Sequence, residues 1–207
     1  MNPFLKQIMA AVIVLLGAVG AMATEEAKYT LVEKSGAFEI RDYERHLLVE
    51  TIVDSSLEDA GNLAFRKLFR YISGNNVSNN SIAMTAPVAQ EARGGKIAMT
   101  APVGQQAAQG GWAVSFMMPA NYTLQTLPLP TDPTLSVREV PARRMAVIRY
   151  SGTWSQERYL ENKEQLDSWI LKKGFTATGE PVWARYNPPF TLWFLRRNEV
   201  LIPIAMK

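Results

Sequence analysis

The sequence predicts an α+β domain, on the strength of two observations. Strand-like runs, an amphipathic helix and further strand-like runs occur in that order twice along the chain. A proline-rich connection, residues 119–134, separates the two occurrences and is unsuited to regular structure because proline removes a backbone donor. The full chain has 207 residues, enough for one domain with a sizeable core. We therefore predict a single folded domain over residues 24–207.

The segment before this domain has a different composition. Lys6 is the one charged residue before an apolar run from Ile8 to Gly20, and residues 21–23, Ala-Met-Ala, match a small-residue cleavage site. We predict that residues 1–23 are a secretory signal peptide and that the mature protein is periplasmic or otherwise exported. An uncleaved anchor is the alternative, although the apolar run is shorter than the roughly 20 residues of a membrane span. No stable membrane insertion is expected after cleavage.

Composition argues against several classes of function. The chain has no Cys and one His, so it lacks a Cys nucleophile, a His/Cys metal cluster and a thioether attachment for haem. Removing Lys6 with the leader leaves 21 basic residues against 19 acidic ones. That balance is unlike the basic footprint of a nucleic-acid-binding protein, so no nucleic-acid partner is predicted. An enzymatic function is the least supported, because no pair of acid–base groups stands out.

The first half begins with strands and ends in a helix. Residues 28–34 and 38–43 are strand-like and are joined by a Ser-Gly turn, and residues 47–53 alternate as a third strand with one apolar face. Ser55 and Glu58 form a potential capping box. Apolar residues then recur at helical spacing until Gly74, which predicts a helix.

A seven-residue string is written twice after this helix, as Ile82–Val88 and again as Ile97–Val103. Each copy has the composition of a short strand that ends at its proline. The polar Gly-Gly segment between them predicts a hairpin of two equivalent strands, in preference to two ligand sites. Residues 112–118 form the next predicted strand.

The second half repeats the pattern. Residues 135–140 and 144–150 are strand-like, and a second helix is predicted from a cap at Thr153 to Gly174. Its predicted core face comprises Tyr159, Leu166, Trp169 and Ile170. Residues 181–186 and 199–204 are the last predicted strands, with a loop over residues 187–197 between them.

Three stretches of this chain resemble the SOUL haem-binding protein family. They are the Ile-Ala-Met-Thr-Ala-Pro-Val string, the strand Phe38–Tyr43, and the C-terminal pattern that runs from Tyr-Asn-Pro-Pro at residues 186–189 to Arg-Arg-Asn-Glu-Val at residues 196–200. They occur in the family's order and span about residues 28–204. The resemblance implies a distorted antiparallel β-barrel built of two similar strand–helix–strand halves and flanked by two helices.

The resemblance also implies a site for haem or metal-free porphyrin, bound non-covalently between the first helix and the C-terminal loop. Carried over to this chain, the implied residues are Phe65, Leu68, Phe69 and Ile72 on the helix and Phe190, Trp193 and Phe194 on the loop. The loop is also conspicuous by itself, because residues 190–195 are almost wholly apolar, and exposed apolar loops mark binding sites. A loop folded back as a lid on the core is the alternative.

Propionates of a tetrapyrrole would pair with guanidinium groups. Arg196 and Arg197 are nearest to the loop in sequence, Arg66 and Arg70 on the helix are second choices, and purely solvated roles are the alternative.

His46 is the one histidine that could bind iron. It shares a face of its predicted strand with Leu48 and Glu50, where a surface role is the default interpretation. In some members of the family the position that corresponds to Asp42 is a histidine that has been considered an axial ligand. A Met or Tyr ligand, or none, is the alternative; Met84, Met99, Met117 and Met118 lie in strand-like runs, where Met mostly fills gaps in a core.

Two hypotheses of different classes result. The first is an exported, non-catalytic tetrapyrrole-binding protein for carriage, buffering or scavenging. The second is an effector- or protein-binding interaction module without physiological haem, because the family's fold is similar to the effector-binding domains of gyrase-inhibitor-like regulators. Residue patterns do not identify a protein partner for either.

Overall fold

Two helices lie on one face of a ten-stranded sheet. The computed structural model describes residues 24–78 and 94–206. The predicted signal peptide, the first heptapeptide copy and most of the turn that follows it lie outside the described residues. Helix α1 spans Leu57–Ile72 and helix α2 spans Gln156–Lys172. Neither is long and apolar enough to cross a membrane.

Most strands of the described residues belong to this sheet. Their bounds are β1 (Glu25–Glu26), β2 (Tyr29–Ser35), β3 (Phe38–Tyr43), β4 (His46–Val53), β5 (Asn76–Val77), β6 (Thr100–Ala101), β7 (Val103–Ala108), β8 (Gly111–Met117), β9 (Leu129–Pro130), β10 (Ser136–Val140), β11 (Arg143–Tyr150), β12 (Phe175–Ala177), β13 (Val182–Arg185) and β14 (Asn198–Met206). A single 3-10 turn, Trp193–Leu195, lies in the C-terminal loop. The short strands β1 and β6 pair in parallel, and β5 pairs with β9.

The large sheet has the same strand arrangement in both halves. Its order is β10-β4-β8-β7-β13-β14-β11-β3-β2, with β12 also paired to β14. Outward from the centre, β7-β8-β4-β10 on one side therefore matches β13-β14-β11-β3 on the other. Helix α1 packs on β4 and β8, and α2 packs on β11, β14 and β12. These features confirm the α+β prediction with two similar halves.

The structure differs from the barrel that the family resemblance implies, because the sheet, over the part of the chain that the structure describes, does not close on itself. Among the described residues the sheet is open, with β10 and β2 as its edges, so it is compatible with a distorted barrel only loosely. The largest apolar clusters lie between sheet and helices, one beneath each helix. A third cluster lies on the opposite face, as the alternation along β11 shows: Met145 and Val147 belong to it, whereas Ala146 and Ile148 pack beneath α2.

Both helices begin slightly later than the sequence predicts. Ser56 caps α1 by accepting from the Asp59 N–H at 3.1 Å, so the predicted cap at Ser55 is wrong by one residue. Ser155, rather than Thr153, caps α2. The Glu58 carboxylate does not fold back on its own helix but accepts from the backbone N–H of Gln156 at 3.0 Å. This bond joins the N-termini of the two helices.

The second heptapeptide copy is not one continuous strand. Thr100–Ala101 forms β6, the Ala101–Pro102 peptide bond is cis, and Val103 already begins β7. Strand β7 was not predicted, because in its sequence Val-Gly-Gln-Gln-Ala-Ala only Val103 is of the branched or aromatic type typical of strands. One of those polar residues is structural: the Gln105 amide is buried and donates to the backbone oxygen of Leu57 at 2.6 Å.

Candidate functional site

An apolar stripe runs along one side of helix α1, at the margin of the core, where Phe65 meets the buried Phe116 edge to face. Gly61, Phe65 and Phe69 recur at four-residue spacing, which places them on one side of the helix. The rings of Phe65 and Phe69 stack with centroids 5.8 Å apart, and the two side chains are 36% and 45% exposed. Leu68 and Ile72 instead lie in the core beneath the helix. The structure thus divides the predicted helix residues into an exposed pair and a buried pair.

The C-terminal loop presents its aromatic side chains to solvent. Phe190, Trp193 and Phe194 are 86%, 58% and 53% exposed, and the last two meet edge to face at 5.5 Å. The loop backbone is nevertheless fixed, because the Gly152 N–H donates to the Trp193 carbonyl at 3.0 Å. Such exposure does not fit a lid packed on the core. A contiguous exposed apolar patch of this kind is typical of a binding surface.

A chain of contacts joins the helix stripe to the loop. The Arg185 guanidinium lies against Gly61, where a Cβ would overlap it, and its Nη2 donates to Gln105 at 3.1 Å. The same guanidinium lies 5.2 Å from the Trp154 ring centroid, and the Arg196 guanidinium approaches that ring to 4.2 Å. One chain of contacts through the buried Arg185 therefore joins helix α1, Trp154, Arg196 and the loop.

Arg185 and Trp154 are functional candidates that the sequence did not single out. Arg185 is 7% exposed, and burial lowers its pKa to about 10. A usable signal was present: Arg185 stands two residues after the buried Trp183 on strand β13, so it faces the same side of the sheet as that core residue. A cation on the core face of a strand indicates a specific role.

The two predicted propionate partners have different environments. Arg196 donates from Nε to the Thr191 carbonyl and from Nη2 to the Pro189 carbonyl, both at 2.8 Å, and has no carboxylate partner among the described residues. Arg197 is already paired, with Glu26 at 2.9 Å and Glu199 at 3.0 Å. The second choices on α1, Arg66 and Arg70, are exposed. Arg196 is thus the arginine of the loop that remains available to an anion.

Arg197 belongs to a buried network that we call the Glu199 cluster. The fully buried Glu199 carboxylate accepts from Arg41 at 2.8 and 3.0 Å and from the Tyr186 hydroxyl at 2.8 Å. Arg41 also donates to Glu39 at 2.7 Å. The complete cluster comprises Glu26, Lys34, Glu39, Arg41, Tyr43, Tyr186, Arg197 and Glu199. Its three cations face three carboxylates, which fits a structural network that fixes the end of the loop.

His46 lies away from the loop, on the sheet face opposite the helices. It lines a cleft there together with Leu48 and Glu50, as their alternation along β4 predicts. Asp42 lies on the other face, because the chain turns between β3 and β4, and its carboxylate pairs with Arg144 at 2.7 Å. Within residues 24–78 and 94–206, no group of three or more His, Cys, Asp or Glu side chains could hold a metal ion. Ligation of iron by His46 stays a prediction.

The sequence of this chain is similar to those of known haem-binding proteins. The family model described as SOUL heme-binding protein matches residues 24–203, which is most of the chain. Heme-binding protein 1 of Xenopus tropicalis is 26% identical over 170 residues, and the match covers 81% of this chain and 84% of that protein.

Solved structures extend the likeness at the level of fold. The EcmrR C-terminal domain has a TM-score of 0.51 and 11% identity, with 86% of this chain and 99% of that chain covered. A hydrolase from Listeria innocua has a TM-score of 0.53 and 8% identity, with coverage of 84% and 94%. At such identities the likeness concerns the fold alone. The family match, which covers most of the sequence, identifies this chain as a member of the SOUL heme-binding protein family.

Proposed function

We propose that this protein binds haem or metal-free porphyrin non-covalently on the surface formed by α1 and the C-terminal loop. The observation that supports it is the set of exposed aromatic rings on the loop, joined through Arg196, Trp154 and Arg185 to the exposed stripe of α1. Membership of a haem-binding family supports the ligand class. The protein acts in this proposal as a carrier, buffer or scavenger and performs no chemistry on the ligand.

The described residues fit such a ligand. A tetrapyrrole offers a flat apolar ring, which Trp193 and Phe194 on one side and Phe65 and Phe69 on the other would cover. Its carboxylates need a guanidinium, and Arg196 has no carboxylate partner among the described residues. The conjugated porphyrin ring supplies the visible absorption by which binding is followed, with or without iron. Burial of the ring would hold the ligand whether or not iron is ligated.

The test is a titration of hemin and of metal-free protoporphyrin, followed by absorption and tryptophan fluorescence. Trp193→Ala should weaken binding of both by about tenfold or more, because burying an aromatic side chain contributes roughly 1.5–3 kcal/mol. Its melting temperature should stay unchanged, since the side chain is 58% exposed. Leu171→Ala is the matched control: Leu171 lies on α2, is 62% exposed and should leave affinity unaltered.

Two results would contradict this site. A large fall in melting temperature with unchanged affinity would make Trp193 a structural residue. Equal loss of affinity in Trp193→Ala and Leu171→Ala would indicate non-specific hydrophobic binding. If hemin binds well and protoporphyrin does not, iron ligation rather than ring burial holds the ligand, and His46→Ala becomes the decisive variant.

We also propose that residues 1–23 are removed on export and that the protein acts outside the cytoplasm. The supporting observation is the apolar run followed by Ala-Met-Ala at residues 21–23. Intact-mass analysis of protein from the cell envelope should give a chain that begins at Thr24. Full-length chain in the membrane fraction would contradict cleavage and favour an anchor.

A further inference from the structure

The sheet face opposite the helices contains a cleft that the proposed tetrapyrrole surface does not use. Its cavity volume is about 90 Å³, several times the ~10–15 Å³ that one water molecule needs. Much of its wall is apolar and comes from strands of both halves: Leu48, Met117, Met145, Val182, Ala184 and Leu201. A cleft with such walls suits the apolar body of a small molecule.

Charged side chains on the same wall are not balanced. Arg138 is neutralised by Glu50, whose two carboxylate oxygens lie 3.0 and 2.9 Å from its Nε. Arg143 also lines the cleft, is partly buried and has no ion-pair partner among the described residues. Burial and the nearby charge of Arg138 lower its pKa. We call these residues and His46 the Arg143 cluster; two guanidinium groups there face one carboxylate.

The imidazole of His46 adds a neutral polar group beside this excess charge. Its Nδ1–H donates to the Glu44 carbonyl at 2.9 Å, because a carbonyl can only accept, so Nε2 carries the lone pair. Burial, together with the charges of Arg143 and Arg138, lowers the pKa of His46 and favours this neutral form. The remaining charged groups of the cleft wall are Glu50, which pairs with Arg138, and Glu26, which pairs with Arg197.

From this geometry we propose that the cleft is a second ligand site, which binds a small amphipathic carboxylate. Its apolar body lies against the walls of the cleft, and its carboxylate pairs with the Arg143 guanidinium. Charge complementarity selects the ligand class: a carboxylate balances the excess cation, a neutral head group leaves it unpaired, and a cationic one is repelled. The site goes beyond tetrapyrrole binding and does not rest on it, because its residues lie on the other face of the sheet.

Three probes of equal chain length test the charge requirement: decanoate, decan-1-ol and decylammonium, titrated calorimetrically into the purified protein. Decanoate should bind about tenfold or more tightly than decan-1-ol, and decylammonium more weakly still. Equal affinities for decanoate and decan-1-ol, or a preference for decylammonium, would overturn the proposal.

Neighbouring arginines provide a matched pair of variants. Arg143→Gln should weaken decanoate binding by about tenfold or more. Arg144→Gln removes the same charge from the opposite face of the sheet, where Arg144 pairs with Asp42, and should change affinity by less than about twofold. Ala113→Phe places a ring in the cleft and should abolish binding even if Arg143→Gln folds poorly. Unchanged affinity in Arg143→Gln or in Ala113→Phe would overturn the proposal.

The position of the ligand has its own readout, since the chain has one histidine. Decanoate should shift the imidazole nitrogen resonances of His46, and binding that leaves them unmoved would place the ligand elsewhere. Saturating decanoate should not alter the affinity for hemin. Competition between them, together with loss of hemin affinity in Arg143→Gln, would instead place the tetrapyrrole in the cleft and overturn the separate site. Failure of hemin to bind at all would contradict the tetrapyrrole proposal alone.

Discussion

The Glu199 cluster and the Arg143 cluster differ in how their buried charges are balanced. In the first, Lys34, Arg41 and Arg197 face three carboxylates, and the central Glu199 has no exposed surface. In the second, the one carboxylate, Glu50, pairs with Arg138, and Arg143 has no carboxylate partner among the described residues. The balanced cluster holds β3, β14 and the C-terminal loop together, whereas the unbalanced one lines a cleft open to solvent.

The difference separates charges that are paired within the protein from a charge that can still pair with a ligand. A buried ion whose partners are all within the protein mainly prevents an uncompensated desolvation penalty. A cation without a carboxylate partner retains that penalty until a ligand supplies the missing charge. Stability and binding experiments should therefore respond oppositely to changes in the two clusters.

Removal of Arg41 should have the largest effect. Arg41→Met leaves the buried Glu199 carboxylate without the guanidinium that donates to both of its oxygens. Breaking one side of a buried ion pair typically costs about 3–5 kcal/mol of unfolding free energy, which urea denaturation would measure.

Arg143→Met is the control for that experiment. Because Arg143 has no carboxylate partner among the described residues, its removal should leave the free energy of unfolding unchanged or raise it. Equal destabilisation by Arg41→Met and Arg143→Met would break the comparison between the clusters.

Acidification should lower the free energy of unfolding through Glu199, with a smaller effect than removal of Arg41. Burial acts to raise the pKa of Glu199, but hydrogen bonds and charge from Arg41, with the charge of Arg197, outweigh it and leave the pKa below its usual value of 4.5. Its contribution to stability is therefore full above about pH 4.5 and is lost as pH falls through the lower folded value. Glu199→Gln should be less stable at neutral pH and should lose less stability on acidification. Parallel pH–stability curves for Glu199→Gln and wild type would contradict this assignment.

The smallest expected effect is on the ionisation of His46. Burial chiefly lowers its pKa, and Arg143 and Arg138 lower it further, against the hydrogen bond to Glu44. Arg143→Met should therefore raise the pKa of His46, measured by NMR titration of the single histidine, whereas Arg144→Met should not. The His46 contribution to stability is full above its usual pKa of 6.5 and is lost as pH falls through the folded value. An unchanged pKa in Arg143→Met would separate the two residues electrostatically.

Local patterns were sufficient to predict most elements of this fold. Strand β3 has the predicted bounds, Phe38–Tyr43, and both helices end two residues before the glycines that were expected to stop them, Gly74 and Gly174. The errors arose where local signals were weak or ambiguous. Two adjacent serines compete to cap α1, and the polar composition of β7 concealed a strand whose Gln105 is buried through a hydrogen bond.

The candidate sites were less predictable because they depend on pairings distant in sequence. The apolar loop was visible as a run of letters, and its exposure agrees with a binding surface. The cleft was not visible, because Arg143, His46 and Glu50 reach one wall only when β4 pairs with β10 and β11 pairs with β3. Sequence spacing also could not show that Arg197 is paired by Glu26, which lies 171 residues away.

The strands β3 and β10, each of which pairs with a strand of the other half, also constrain the order in which this protein can fold. Strand β3 joins the second half of the sheet through β11, and β10 joins the first half through β4, so neither half completes its sheet from its own sequence. Such long-range pairing slows folding, because loop closure precedes the contacts that stabilise it. The N-terminal hairpin of β2 and β3 therefore has a free edge during synthesis until β11 has emerged. Strand β14 is synthesised after all the other strands of the sheet. Its pairing with β11, β12 and β13 completes the hydrogen bonding of the sheet. We expect a chain truncated before Asn198 to lack cooperative unfolding. The domain would then become stable only once β14 has been synthesised and paired.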